Sequence, residues 1–267
     1  MKKYLSIFNI SFQQEFAYRI NFIMWRVRNV LQIFLVFFLW DAVFKDPGRV
    51  VFGYNREGIL TYVLGLIIVK SFVFSSKSMD VAGEISRGEL SNYLVKPVSY
   101  FKYWITRDLS SKSLNLSFAF FETLFLFLIL KPSFFIQTDP ILLIFFLLSL
   151  ILAFSLFSLL LFIVSAITFW MPEAGWGAHF LISIISVEFM SGALFPLDIL
   201  PHFLQRIVNY TPFPYMVFFP MQVYLGKILD SAAVKGILIS GLWILVLYFI
   251  MTLVWRKGLK VYEAYGR

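Results

Sequence analysis

Residues 141–170 form a run of thirty positions without a charged side chain. A helix of about 20 mostly apolar residues is already long enough to cross the hydrocarbon core of a bilayer. The composition agrees with a membrane origin, because the chain is 60% hydrophobic and only 14% charged, with 33 phenylalanines. Soluble domains carry about 25% charged residues. The sequence therefore predicts an integral membrane protein.

Six segments have the length and hydrophobicity of membrane spans. They are about residues 23–44, 58–76, 113–130, 141–170, 175–195 and 232–255. The longest polar stretch, residues 77–112, is shorter than a folded soluble domain normally is. We therefore expect an all-α polytopic membrane protein with one transmembrane domain over residues 1–267.

Positive charge is distributed unevenly between the two sides of these spans. Fifteen Lys and Arg residues fall on the side of the N-terminus and six on the other side. Cytoplasmic segments carry the excess of Lys and Arg in membrane proteins. This predicts a plasma (inner) membrane protein with both termini cytoplasmic and residues 77–112 as a cytoplasmic loop. The net charge of +8 then needs no nucleic-acid partner.

The chain has no cysteine and two histidines, so disulfides and thiolate metal sites are excluded. No cofactor, no metal and no catalytic residue is predicted, because no nucleophile–base set or carboxylate cluster has a supporting context. The carboxylates of 77–112 are too scattered for a two-metal enzyme acting on lipid.

The N-terminal residues 4–23 have apolar side chains at spacings of three or four, which is one face of a helix. The positions are Leu5, Phe8, Phe12, Phe16, Ile20 and Ile23. Such a helix lies along a membrane surface. We expect it on the cytoplasmic face before the first span.

Half of the ten prolines fall between Pro196 and Pro220, in a stretch that is otherwise apolar. Each proline removes a backbone donor and clashes with the preceding helical turn. The pattern predicts short helices, about 199–209 and 215–225, at the outer membrane interface.

The cytoplasmic loop contains a short mixed-charge turn between Gly83 and Gly88, followed by a short helix at 89–94 that Pro97 stops. The two glycines have the spacing of a phosphate-binding loop. Glu89 stands where that motif needs Lys, and no strand precedes it. The turn is therefore not expected to bind ATP.

Four ionisable residues within the predicted spans are candidates for a functional role: Lys70, Glu122, His179 and Glu188. Lys70 and Glu122 sit at a similar depth, so they are expected either to form a buried ion pair or to line a polar path. Glu188 is expected to face a water-filled vestibule or to bond the backbone of the proline-rich segment. His179 is expected to reach the headgroups.

The order of these parts resembles the permease subunits of type-2 ATP-binding-cassette exporters. The local match lies in Gly-Ala-Leu-Phe-Pro-Leu-Asp-Ile-Leu-Pro at 192–201, Tyr-Thr-Pro at 210–212 and Tyr-Leu-Gly at 224–226. The segments 85–90, 94–97 and 258–266 resemble a bacterial branch in which two related permeases and one ATPase are encoded together. The resemblance covers nearly the whole chain.

This resemblance implies a coupling helix at 84–95, a broken, re-entrant hairpin at 195–226, and a path formed with a second permease, either a paralogue or another copy. ATP would be hydrolysed by a separate ABC ATPase subunit, so this chain would not be an enzyme. The residues implied to contact the ATPase are Glu84, Ile85, Arg87, Gly88, Glu89 and Leu90. Those implied to shape an outer gate are Phe195, Pro196, Pro201, Pro212 and Pro214.

An ion-coupled secondary transporter is the alternative, with Lys70, Glu122 and Glu188 as a relay. The helix breaks are concentrated in one outer segment rather than in matched half-helices at the midplane, which disfavours it.

Overall fold

The computed structural model describes residues 2–17, 19–46, 48–78, 80–182, 187–228 and 230–262. The regular secondary structure of these residues is all helical, and they contain no strand. The α-helices are α1 Lys2–Ala17, α2 Arg19–Val43, α3 Arg56–Val73, α4 Asp80–Ser86, α5 Ser91–Leu94, α6 Tyr100–Leu130, α7 Pro140–Ser165, α8 Gly175–Phe180, α9 Glu188–Met190, α10 His202–Asn209, α11 Phe218–Tyr224 and α12 Asp230–Val261.

Four segments among the described residues are long and apolar enough to cross a membrane: 22–43, 100–130, 140–169 and 231–261. They belong to α2, α6, α7 and α12. Helix α6 has 31 residues, so it is about 46 Å long. It starts at Tyr100, whereas the sequence predicted a span from 113. The last third of the predicted loop 77–112 is therefore part of this helix.

Helix α3 corresponds to the second predicted span, and it lies at the centre of the bundle. It packs against α2, α6, α7 and α11. Leu60, Tyr62, Leu64 and Val69 are at most 1% exposed. Because its neighbours shield it on several sides, α3 can carry Lys70 in a way that a lipid-facing helix could not.

The helix predicted over 4–23 falls on α1 and the beginning of α2, and Tyr18 between them lies outside the described residues. Helix α1 packs along the beginning of α6. The Ser110 hydroxyl donates a hydrogen bond to the Phe8 carbonyl at 3.1 Å, and Lys77 lies 3.1 Å from Glu15. This end of α6 therefore rests on α1.

The predicted fifth span, 175–195, is not one regular helix in the described residues. It begins as α8, adopts π-helical geometry at 181–182 and 187, and ends as the short α9. Residues 183–186 lie outside the described part of the chain.

The proline-rich segment contains the two short helices that its sequence predicts, α10 and α11. We call residues 195–226 the hairpin. Pro196, Pro212 and Pro214 are buried and Pro201 is exposed. Phe195 is half-buried, with its ring 5.4 Å from that of Phe189. Its place relative to a membrane stays a prediction.

At the opposite end of the bundle, aromatic side chains fill the space between α5 and the ends of α6, α7 and α12. We call this cluster the aromatic platform; it comprises Tyr93, Tyr100, Phe101, Trp104, Phe162, Phe169 and Trp255. The Trp255 indole donates a hydrogen bond to the Phe162 carbonyl at 3.0 Å. The platform joins the ends of three long helices into one packed unit.

Two glycines of α12 allow a test of this packing. A Cβ at Gly258 would overlap the Phe169 ring, whereas a Cβ at Gly241 would meet nothing within 4 Å. We expect Gly258→Ala to lose about 1–3 kcal/mol of stability through overpacking. Gly241→Ala should gain up to about 1 kcal/mol from helix propensity. Denaturant unfolding of the purified protein in detergent measures both, and equal effects would contradict the packing.

Candidate functional site

The turn after α4 is built by backbone hydrogen bonds to one carbonyl. The Glu84 carbonyl accepts from the amide of Glu89 at 2.9 Å and from that of Leu90 at 3.3 Å. This path requires a positive φ at Gly88, which is +73° and favours glycine. We call residues 84–95 the α4–α5 turn. It presents a fixed loop tip rather than a long helix.

The Glu84 side chain is held inside the chain. It is 6% exposed, and its carboxylate accepts hydrogen bonds from the Tyr100 hydroxyl at 2.8 Å and the Tyr93 hydroxyl at 3.1 Å. Burial raises the pKa of Glu84 above its ordinary value, against the opposing effect of these hydrogen bonds. Glu84 thus ties α4 to the start of α6.

Three of the residues implied to contact the ATPase are buried within this chain. Ile85 is 4% exposed and Leu90 is 1% exposed, and both pack into the aromatic platform. Together with Glu84 they face the core of this chain. Their apolar character reflects internal packing.

Arg87 and Glu89 are the charged side chains at the tip of the turn. Arg87 donates to both carboxylate oxygens of Glu89 at 2.9 and 3.2 Å. Hydrogen bonding from Arg87 lowers the pKa of Glu89 below its ordinary value. The pair keeps a defined geometry while it stays exposed.

This tip borders an open cavity of about 660 Å³ between the α4–α5 turn, the 3₁₀ turn Ala166–Phe169 and the end of α12. Its lining combines charged and apolar groups. The lining residues are Ile85, Ser86, Arg87, Gly88, Glu89, Thr168, Phe169, Trp170, Pro172, Val261 and Tyr262. A protein side chain or short segment fits this volume and this mixture.

A second polar connection joins the end of α3 to α6. The Lys112 ammonium donates to the carbonyls of Val73 at 3.1 Å and Ser75 at 2.6 Å. A cation at the carbonyl end of a helix is stabilising. One turn earlier, Asp108 accepts from the Ser76 and Ser78 hydroxyls at 2.8 Å and the Lys77 amide at 2.6 Å. We call Asp108 and Lys112 the α3 clamp.

The sequence predicted that His179 reaches the lipid headgroups, but its side chain is buried. It is 2% exposed, and its Nε2 lies 3.0 Å from the Ser165 hydroxyl at the end of α7. The histidine therefore joins α8 to α7.

Lys70 and Glu122 do not form the ion pair that was one of their two expected arrangements, because each has another partner. Glu122 is held by Arg26, whose Nε is 2.7 Å from Oε1 and whose Nη2 contacts Oε2. Arg26 is 6% exposed and also donates to the Ser71 hydroxyl at 3.0 Å. The closed pair Arg26–Glu122 connects α2 to α6.

Lys70 instead faces Glu188 of α9, with 3.7 Å between the ammonium and the carboxylate. Both side chains remain about one fifth exposed. Glu188 therefore has a side-chain partner in place of the expected vestibule or backbone contact. The relay proposed for an ion-coupled transporter loses Glu122, because Arg26 occupies both of its oxygens.

A polar network anchors the hairpin to the loop before α3. The Asp198 carboxylate accepts from the Tyr54 hydroxyl at 2.7 Å and from the Gln222 amide at 2.9 Å. The Lys227 ammonium lies 3.9 Å from the same oxygen and 3.0 Å from the centre of the Tyr54 ring. We call these four residues the hairpin latch. Burial raises the pKa of Tyr54 and lowers that of Lys227.

Two further bonds fix the base of the hairpin. The Tyr62 hydroxyl donates to the Gly192 carbonyl at 2.6 Å. The Phe218 amide donates to the Ser191 carbonyl at 2.8 Å. Gly192 has φ +84°, and a Cβ there would crowd Tyr62 and Phe218. The hairpin therefore closes over the end of α3.

Sequence reasoning missed the latch and the clamp. Asp108 and Lys112 were counted as loop charges, yet they are 0% and 1% exposed. Their i,i+4 spacing on a helix was the available signal. Gln222 carried no signal, because its partners are distant in sequence. In the described residues no cluster of His, Asp or Glu could hold a metal ion.

The family model described as ABC-2 family transporter protein matches residues 30–266. The chain belongs to the ABC-2 transporter family. It is thus a membrane-embedded, multipass permease, and membership implies the membrane subunit of an ABC transport system that associates with an ABC ATPase. Comparison with curated proteins gives no match. For an ABC-2 permease, the α4–α5 turn, the charged bundle interior and the hairpin are the three sites of interest.

The Arg26–Glu122 pair makes a double-mutant prediction. Arg26→Leu alone should destabilise the protein by about 3–5 kcal/mol, because it leaves a carboxylate buried and unpaired. Adding Glu122→Leu should recover most of this loss. Unfolding in detergent measures the cycle, and a double variant whose loss equals the sum of the single losses would contradict a coupled pair.

Glu84 makes a pH prediction. Because its pKa is raised in the folded state, the folded state binds the proton more tightly, and stability falls as pH rises above the ordinary value. Glu84→Gln stays neutral and keeps a hydrogen-bonding group beside Tyr93 and Tyr100. The melting temperature of Glu84→Gln relative to the wild type should therefore increase between pH 4.5 and 8. A difference that is independent of pH would refute this.

Proposed function

We propose that this permease is the membrane subunit of an ATP-driven export system whose separate ATPase docks on the tip of the α4–α5 turn. The exposed Arg87–Glu89 pair beside the 660 Å³ cavity carries the proposal. The turn has a rigid base and a charged tip, which suits a contact that has to transmit force. Ser86, Arg87, Gly88 and Glu89 form the contact, and the buried residues behind them support it.

Movement at the tip has three physical routes into the bundle. Glu84 connects α4 to α6 through two tyrosine hydroxyls. The aromatic platform connects the turn to α7 and α12. The α3 clamp connects α6 to the end of α3. A push on the turn therefore moves the ends of α3, α6, α7 and α12 together, rather than two spans alone.

The proposed topology has six crossings, 23–44, 58–76, 113–130, 141–170, 175–195 and 232–255, with both termini in the cytoplasm of the inner membrane. The charge bias of the sequence supports it. Helix α1 lies on the cytoplasmic surface and the hairpin 195–226 dips into the outer interface. A second permease, either another copy or a paralogue, completes the translocation path.

In this topology the hairpin latch holds an outer gate closed. Asp198 is the shared acceptor of the latch, so its removal takes one hydrogen bond from Tyr54 and one from Gln222 and leaves only the bond between those two residues. Phe195, Pro196, Pro201, Pro212 and Pro214 shape the gate. Opening would separate the hairpin from the loop before α3 and leave the base at Gly192 as a pivot.

A charge swap tests the docking proposal. The double variant Arg87→Glu/Glu89→Arg keeps an internal ion pair but reverses the polarity that a partner meets. We expect binding to the cognate ABC ATPase to fall about tenfold or more, because two charged contacts are lost. Arg206→Glu, at the hairpin end, is the control and should bind normally. Unchanged co-purification of the swap variant would refute the docking site.

The absence of cysteine from the chain allows a direct test of the gate. Ser191 is 0% exposed behind the hairpin. We expect Ser191→Cys to resist a membrane-impermeant maleimide added outside, and Asp198→Ala to raise its labelling rate about tenfold as the latch bonds are lost. Asp46→Ala, an exposed acid at the same end, is the control. Equal labelling in all backgrounds would contradict a latched outer gate.

A further inference from the structure

The charged cluster beside α2 and α3 has an unbalanced positive charge. Arg26 and Glu122 form a closed pair that neutralises both groups. The other charged residues of the cluster are Arg28, Lys70 and Glu188. Arg28 is exposed and its guanidinium stacks over Trp25 at 5.0 Å. Within the described residues it has no carboxylate within ion-pair distance. These three residues carry two positive charges and one negative charge.

The two cations act on the same space. Arg28 is next to Asn29 in α2, and Asn29 lines the same cavity as Lys70. The only carboxylate paired with Lys70 in the described chain is Glu188, at 3.7 Å, and both side chains remain partly exposed. An uncompensated positive charge in a membrane segment is expensive. An anion bound between Arg28 and Lys70 would compensate this positive charge.

Neutral hydrogen-bond donors surround this space. The side-chain amides of Asn29 and Gln32 belong to the same helix, α2. Neither side chain has a hydrogen bond within the described part of the chain. Both line a cavity of about 30 Å³ that Lys70 and Ser71 also border. This is room for about two water molecules. The site can therefore solvate a polar headgroup from its inner side.

An apolar surface continues from Arg28 along one face of α2. Leu31 and Leu35 follow Arg28 by three and seven residues, so they share its face, and they are 58% and 74% exposed. Two apolar side chains beside the Lys70–Glu188 pair are also exposed: Ile68, just before Lys70 in α3, and Phe189, just after Glu188 in α9. A cationic group followed by an exposed apolar helix face is complementary to an amphiphile with an anionic headgroup and an apolar chain.

We propose that Arg28 and Lys70, with the amides of Asn29 and Gln32, form a binding site for the anionic headgroup of an amphiphile whose chain lies on Leu31 and Leu35. The inference deepens the proposed function and rests on it for the position of the site in the cytoplasmic leaflet. The amphiphile is either a resident phospholipid or the exported molecule. The shared chemistry is a phosphate or carboxylate headgroup on an apolar chain.

Binding of fluorescent phosphatidylglycerol and phosphatidylcholine to the purified full chain in nonionic detergent tests the site. We expect the anionic probe to bind more tightly, and Arg28→Gln and Lys70→Gln each to weaken it about tenfold. Arg28→Lys should preserve the binding. Lys45→Gln, an exposed cation just beyond the other end of α2, is the control. Size-exclusion profiles and melting temperatures report on folding, and the Arg28→Lys rescue separates charge from fold.

Equal affinity for the two probes, or unchanged binding by Arg28→Gln and Lys70→Gln, would overturn the site. So would efficient disulfide formation between two copies of Asn29→Cys, because a second permease would then cover this surface. ATP-dependent transfer of the anionic probe across a reconstituted bilayer would identify it as cargo. Binding without transfer would identify a resident lipid; both outcomes support the site.

The binding measurement needs no ATPase, so the two proposals fail separately. Charge-selective binding together with intact ATPase association in the Arg87→Glu/Glu89→Arg variant would refute the docking proposal and keep the anion site. Loss of ATPase association in that variant, together with probe binding that does not depend on charge, would support the docking proposal and refute the anion site.

Discussion

The structure depends on the shielding of α3 inside the bundle. A polar group at membrane depth needs a partner or water, and α3 is surrounded by α2, α6, α7 and α11. This position lets Lys70 face Glu188 and lets Ser71 bond to Arg26. The Arg26–Glu122 pair fastens α2 to α6 beside it. The remaining long helices can then expose apolar side chains to lipid.

The two ends of α3 are fixed by different chemistry, and this separates their roles. At one end the α3 clamp uses buried charges on α6 that bond backbone carbonyls, amides and hydroxyls. At the other end the hairpin latch uses one carboxylate shared by Tyr54 and Gln222. Asp108 is 0% exposed, whereas the Asp198 side chain is 38% exposed. The clamp is suited to transmit movement, and the latch is suited to open.

Much of this architecture follows from composition, because long apolar runs and clustered prolines act locally. The helices α7, α10, α11 and α12 lie close to where the sequence predicts them. The pairing of charges could not be predicted from depth alone, since Glu122 is held by Arg26, a residue near the start of α2 that the sequence did not single out. Ile85 and Leu90 were assigned to a partner because one sequence does not show which neighbour an apolar side chain meets. That neighbour is the aromatic platform.

We propose that force enters the bundle through the exposed tip of the α4–α5 turn. A photo-crosslinking amino acid at Ser86, which is exposed beside Arg87, tests it directly in membranes containing the cognate ATPase. The same probe at Tyr210, 83% exposed at the hairpin end, is the matched control. We expect an ATPase adduct from position 86 and none from position 210. An adduct from 210, or none from 86, would contradict it.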